Sequence, residues 1–209
     1  MRRALGAAGG VRVLTTGMGP EAAARAAGEE LGAGVAAVVI AGVAGGCDPG
    51  LATGTVVVAT ALCDLAGRSL DLPGAPSRAV GAALAAVAPS VSGRVASGGR
   101  VVDDPAGRAR LAAAGVLAVE TEAAGWAPAC RRAGVPLLVV RAVLDTPDRP
   151  LGDAAGLVRP GDTGPAPWRL ARLGARPVAW ATLARLARTA PAAERAAARA
   201  AVAAALTWG

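Results

Sequence analysis

Runs of aliphatic and β-branched residues alternate with alanine-rich stretches along most of this chain, and no other feature restricts its fold so strongly. "VRVLTT" (Val11–Thr16) predicts a strand, and "PEAAARAAGEELGAG" a helix with Pro20 in its first turn and Gly32 near its end. "VAAVVIAG" (Val35–Gly42) is apolar on both faces, as a central strand covered by helices would be. "GTVVVATAL" predicts a third strand, residues 77–88 a helix, "SGRVAS" a short strand, and residues 104–113 a helix opened by Pro105. "GVLAVE" reads as a strand, "EAAGWAPACRRAG" as a helix and "VPLLVVRAV" as the last strand. Such alternation implies an α/β fold, a three-layer α/β/α sandwich around a mixed, largely parallel sheet. Residues 146–167, rich in Gly, Pro and Asp, read as a long loop. A helical C-terminal segment (166–209) follows, divided at Gly174, Pro177 and Pro191, and the whole 1–209 chain forms one domain.

Composition removes whole classes of chemistry. With no histidine, lysine, tyrosine or phenylalanine, the chain lacks the commonest metal ligand and acid–base catalyst, and P-loop and Schiff-base chemistry are excluded. No metal site is expected. All 22 basic residues are arginines, giving a net charge of +7, but no basic stripe interleaves with aromatics, so nucleic acid is not an expected partner. Cys47, Cys63 and Cys130 are odd in number and far apart, which suits a reducing compartment rather than a disulfide framework. "MRRALGAAGG" lacks the apolar core of a signal peptide, and no apolar run has the length of a membrane span. A cytoplasmic protein is the expectation.

"TGMGPEAA" (Thr16–Ala23) places Gly-x-Gly-x-x-Ala between a strand and a helix, the shape of a dinucleotide fingerprint. That fingerprint also needs an acid at the end of the next strand, where "VVIAGVAGG" offers none, so no nicotinamide or flavin cofactor is expected. Tight strand–helix packing, or a loop facing an anion or ribose, are the other uses of such glycines. A second glycine-rich turn, within Ala41–Thr60, lies beyond a strand's carboxyl end, where open α/β sheets bind ligands.

Two acids close together end one strand, in "AVETEAAG" (Ala118–Gly125). Residues two apart in a strand share a face, so Glu120 and Glu122 would point into one cleft if the strand reaches that far. Neighbouring carboxylates repel, which raises one pKa and suits that group to a polar ligand or a held proton. Helix capping is the competing role, since an acid in a first turn offsets the helix dipole by about 0.3–1 kcal/mol. In "VVRAVLDTPDR" the next strand brings Arg141 and Asp145 to its own carboxyl end, so three acids converge where adjacent strands finish.

With "TGMGPEAA", "GVAGGCDPGLATGTVVVAT" and "AVETEAAGWAPACRRAGVPLLVVRAVLD" in this order, the chain resembles the nucleoside phosphorylase and nucleosidase superfamily over residues 11–148. The resemblance implies cleavage of a purine nucleoside's N-glycosidic bond, without a cofactor unless phosphate serves as co-substrate. It makes Glu122 the ribose-binding acid, with Thr121 and Glu120 beside it, a role that suits a carboxylate able to accept from two vicinal hydroxyls. Asp145 becomes the catalytic acid that donates to N7 of the leaving purine. Ser97, Gly98, Val101 and Val102 would lie along the base. Gly17, Gly19, Gly42, Ala44 and Gly45 would line the attacking water or phosphate. Related enzymes are dimers or hexamers, so the resemblance implies a homo-oligomer.

The departures from the pattern are specific. The family's first strand, with its water-activating acid, has no counterpart, and the sequence starts near the second strand. Val43 replaces a hydroxyl in the glycine turn, Ala41 replaces an arginine before it, and no Phe or Tyr is present to stack on the base. The tail from Asp145 resembles the hopanoid-associated phosphorylases, which implies adenine release from adenosylhopane, a nucleoside with a triterpene on its 5′ carbon. A soluble methylthioadenosine, adenosylhomocysteine or futalosine nucleosidase is the alternative enzyme, and a non-catalytic nucleoside-binding member the alternative outside enzymes. From Trp168 onward seven arginines face one glutamate. Trp168, Leu170, Leu173, Trp180, Leu183 and Leu186 are spaced for apolar helix faces, so 168–190 suits either peripheral contact with an inner-membrane face or packing onto the domain or a subunit.

Overall fold

The structure, a computed structural model, describes residues 10–32 and 34–208. The N-terminal "MRRALGAAG" and Gly209, parts of the expected 1–209 domain, lie outside the described residues.

Six strands form a mixed sheet: β1 (Val38–Gly46), β2 (Val56–Cys63), β3 (Ser69–Leu70), β4 (Ser90–Ser97), β5 (Val116–Glu120) and β6 (Leu137–Asp145). The order is β3-β2-β4-β5-β1-β6. β1–β6, β2–β4 and β4–β5 are parallel, whereas β1–β5, β2–β3 and β2–β6 are antiparallel. Through the last of these, Val56–Val58 against Ala142–Val140, the sheet curls until β6 meets β2 as well as β1.

Both faces of the sheet are covered, which is why its strands read as continuous apolar runs. Side chains alternate along each strand. Val57 and Val139 enter one layer with α1 (Pro20–Glu30) and α4 (Ala123–Ala133). Val56, Val58, Leu138 and Val140 enter the other, with α2 (Arg78–Val87) and α6 (Trp180–Thr207). With almost no aromatics, the layers close through small residues. Gly125 of α4 is the tightest case: a Cβ there would lie 2.8 Å from the Cβ of Ala23 and closer still to the Pro20 carbonyl. Gly125→Ala should therefore force α1 from α4 and cost about 1–3 kcal/mol in denaturant unfolding.

Local caps fix the helix ends. The Ser77 hydroxyl accepts the Val80 N–H at 3.2 Å, the Asp104 carboxylate accepts that of Gly107 at the start of α3 (Pro105–Ala113), and Gly134 ends α4 at φ 67°.

Two expectations need correction. Val11–Thr16 is not a strand: among the described residues no strand edge pairs with it, and β-branched residues do not hold an extended conformation without a ladder. Arg12 pairs with Glu30, and just beyond the segment the main chain is fastened at Met18, whose N–H bonds the Asp162 carbonyl and whose carbonyl accepts the Gly161 N–H. Nor does Pro191 divide the tail, since α6 runs through it for 28 residues. Ala193, Ala197, Ala200 and Ala204 are buried on the sheet, and that packing with alanine's helix propensity outweighs proline's roughly 3 kcal/mol penalty. The loop of residues 146–167 holds a short 3-10 helix (Gly152–Leu157), and α5 (Pro167–Gly174) and a 3-10 turn (Pro177–Ala179) precede α6.

Candidate active site

The carboxyl ends of β5 and β6 bring together two clusters, each an arginine engaged by acids over a glycine of β1. In the first, Arg141 lies opposite Gly42 and pairs with both Glu120 and Glu122, the latter at 2.7 Å. A Cβ on Gly42 would sit 2.5 Å from the Arg141 Nη1, so only glycine leaves the guanidinium its place. The glycine run expected as a turn is thus the end of a strand, and its missing side chains make room for arginines.

Glu120 and Glu122 divide the two roles between which the sequence left a choice. Glu120 accepts the N–H groups of Glu122 and Ala123 at 3.0 Å, capping α4, and its side chain is fully buried. Glu122 is partly open, at 16% side-chain exposure. It receives bonds from Arg141 and from the Thr121 hydroxyl, and one from the Gly19 main chain. Burial alone would raise its pKa, but Arg141, Thr121 and Gly19 together hold it below the usual carboxylate range. Gly19 takes φ 101° as it caps α1, a conformation that favours glycine. The Gly17–Gly19 loop therefore stands directly against the acid expected to bind ribose.

In the second cluster Asp145 is almost wholly buried and pairs with Arg108 of α3, itself 1% exposed. Arg108 also donates from Nε to the Val102 carbonyl at 2.9 Å and from Nη1 to that of Gly46 at 3.0 Å, with Asp103 at 3.8 Å. Its guanidinium crosses Gly45, where a Cβ would lie 2.8 Å from Nη2. Leu144 has no partner on β1, and this bulge re-aims Asp145 beneath Gly45. Burial pushes the Asp145 carboxyl up to about 6, against the lowering pull of Arg108; Asp103 adds to the rise and Arg185 opposes it. Asp145 is closed off from bulk water and holds its proton near pH 6, while Glu122, partly open, is ionised there.

Of the residues expected along the base, Ser97 is buried and its hydroxyl accepts the Ala124 N–H at 2.8 Å. The Gly98 N–H bonds the Glu120 carbonyl at 3.1 Å, tying this segment to the Glu122 cluster. Val102 is a core residue whose carbonyl holds Arg108, while Val101 is half-buried. Ala44, on β1 between the two glycines, packs into the α1/α4 core.

The mixed α/β sheet sets three elements side by side: a glycine-rich strand end, a Glu-Thr-Glu segment opening a helix, and an Arg-x-x-x-Asp strand end. A family model described as the phosphorylase superfamily matches residues 3–158. The chain belongs to the phosphorylase superfamily. Among solved structures it is similar to the 5′-methylthioadenosine/S-adenosylhomocysteine nucleosidase of Helicobacter pylori, with 25% identity, 61% of this chain and 63% of that one covered, and a TM-score of 0.52. The corresponding Neisseria meningitidis enzyme is 22% identical, with 90% and 77% covered and a TM-score of 0.59. Futalosine hydrolase of Helicobacter pylori is 20% identical, with 88% and 75% covered and a TM-score of 0.58. The chain spans less than two thirds of the first two solved structures it matches, 63% and 64% of their lengths. No curated protein is significantly similar to it in sequence.

Arg108 is the residue that sequence reasoning missed. It lies on the buried face of α3 with Gly107 and Leu111, so helical period alone would have placed it inward. In a chain where every cation is arginine, nothing in its type set it apart. Cys47, Cys63 and Cys130 are buried free thiols.

Proposed function

We propose that this member of the phosphorylase superfamily releases a purine base from a nucleoside by cleaving the N-glycosidic bond, and that adenosylhopane is its substrate. The observation that carries the reading is the division of labour between Glu122, ionised and partly open, and Asp145, buried and still protonated near pH 6. An ionised carboxylate accepts from both ribose hydroxyls and favours the oxocarbenium-like sugar that develops as the base departs. Thr121 and Arg141 orient it. Asp145 donates its proton to N7 as the C1′–N9 bond breaks, so the base leaves neutral and Asp145 is left as the anion that Arg108 stabilises; the proton shed by the nucleophile as it bonds C1′ balances the one Asp145 takes back from solvent. The adenosylhopane assignment is supported by the likeness of the tail from Asp145 onward to the hopanoid-associated branch.

Water is the nucleophile we favour. Arg141, the cation of the cluster that would hold the sugar, faces both Glu120 and Glu122, so acids outnumber it there. Such a field repels a phosphate dianion. Adenine release, followed on adenosylhopane and on methylthioadenosine with and without phosphate, tests all of this together. The expected result is phosphate-independent release, faster from adenosylhopane. Preference for methylthioadenosine would indicate the soluble nucleosidase instead. Binding of nucleoside with no release from any substrate would indicate a non-catalytic member.

A further inference from the structure

Past residue 158, where the match to the family model ends, the chain presents a surface that base release does not use. Four of the six large apolar side chains exposed among the described residues fall between Trp168 and Trp180: Trp168 (57%), Leu170 (40%), Val178 (76%) and Trp180 (60%). α5 is fastened inward by Leu173 and by Arg169, which pairs with Asp162, so the remainder of its surface is turned out. Both indoles are fixed. The Trp180 Nε1 donates to the Gly174 carbonyl at 2.8 Å, which leaves the exposed ring only carbon to offer, and the Arg169 guanidinium lies 5.1 Å from the Trp168 ring centre.

Charge identifies what covers this face. Between Asp162 and Glu194 there are five arginines and no acid. Arg159, Arg172 and Arg176, all exposed, line a shallow cavity of about 300 Å³ together with Trp168. Of these, Arg176 reaches Asp153 at 3.3 Å, while Arg159 and Arg172 make no ion pair among the described residues. Exposed indoles interspersed with guanidinium groups match the headgroup layer of a bilayer, where tryptophan rings lie at the apolar boundary and arginines meet lipid phosphates. No helix among the described residues is long and apolar enough to cross a membrane, so the contact is with a surface.

We propose that this face seats the protein on an anionic phospholipid bilayer, with Trp168, Leu170, Val178 and Trp180 entering the headgroup layer and Arg159, Arg172 and Arg176 meeting lipid phosphates. The full chain is sedimented with vesicles of phosphatidylcholine alone or with one quarter phosphatidylglycerol, at low and high salt. Binding is expected to the anionic vesicles, to weaken with salt, to fall about fivefold for Arg172→Gln, and to be lost in Trp168→Ser/Trp180→Ser. These side chains are exposed, so the far-UV circular dichroism of the variants should be unchanged. Quenching of tryptophan fluorescence in the native protein by brominated lipid gives a second readout that needs no variant. Failure to sediment with anionic vesicles, binding indifferent to these substitutions, or self-association in solution that they abolish would each overturn the proposal. None of these readouts involves base release, so they stand or fall apart from the nucleoside reading.

Discussion

Arg108→Met is expected to lower the unfolding free energy by about 3–5 kcal/mol, the cost of leaving a buried charge without its partner. For a chain of this size that corresponds to a melting temperature lower by about 10 °C. Arg108 holds the Asp145 carboxylate and the carbonyls of Val102 and Gly46 in a space 1% open to solvent, and methionine satisfies none of these acceptors. A second substitution separates the pair from the individual groups. Arg108→Met/Asp145→Leu removes both charges and should recover much of the lost stability, because an apolar pair of similar volume is often as stable as a buried ion pair. Calorimetry on the wild type and the two variants checks this; a double variant no more stable than Arg108→Met would mean that the carbonyl bonds, not the ion pair, carry the energy.

The second large effect is on turnover. Asp145→Asn should reduce kcat for base release by roughly 10²–10⁴-fold while nucleoside binding persists, since an amide fills the same space but is no proton donor at neutral pH. The pH profile carries the same information. With the Asp145 carboxyl at about 6, the protonated fraction falls as pH rises, so kcat/KM should decline above about pH 6, and the asparagine variant should lack that limb. Stability follows the same sign. The folded state keeps the Asp145 proton up to about 6 and the unfolded chain only to the ordinary aspartate value of 3.8, so the contribution of this group to stability declines as pH rises between these values and stays low above them. Glu122 works in the opposite direction: its carboxyl is held low, and the stability it contributes is lost on acidification.

Much of this was legible in the residues, for identifiable reasons. The long central strands announced themselves because both faces are buried, so "VVVA" of β2 and "LLVV" of β6 carry no polar interruptions, whereas the two-residue β3 gave no signal. The helices read over residues 77–88 and 104–113 formed close to those bounds because Ser77 and Asp104 supply local capping chemistry at their starts. Val11–Thr16 misled for the complementary reason: a strand needs a neighbour, and no propensity in six residues says whether one exists. Pro191 misled because tertiary packing of alanines overrode a local breaker. At the site, Glu120 and Glu122 could be paired by spacing, but only the fold assigns capping to one and partial exposure to the other. Arg108 stands 37 residues before Asp145 in the chain, and no short-range pattern spans that gap.

The double engagement of β6, with β1 on one side and β2 on the other, sets the order in which the site comes into being. A nascent chain that has emerged only as far as α4 already possesses Glu120 and Glu122, but lacks both the guanidinium that gathers them and the acid four residues beyond it. Sheet closure and completion of the two acid–arginine clusters are consequently one event, which waits on contacts distant in sequence and so belongs late in folding. Partly folded species would carry no residual turnover, and amides of β6 should be among the slowest to exchange with solvent deuterium.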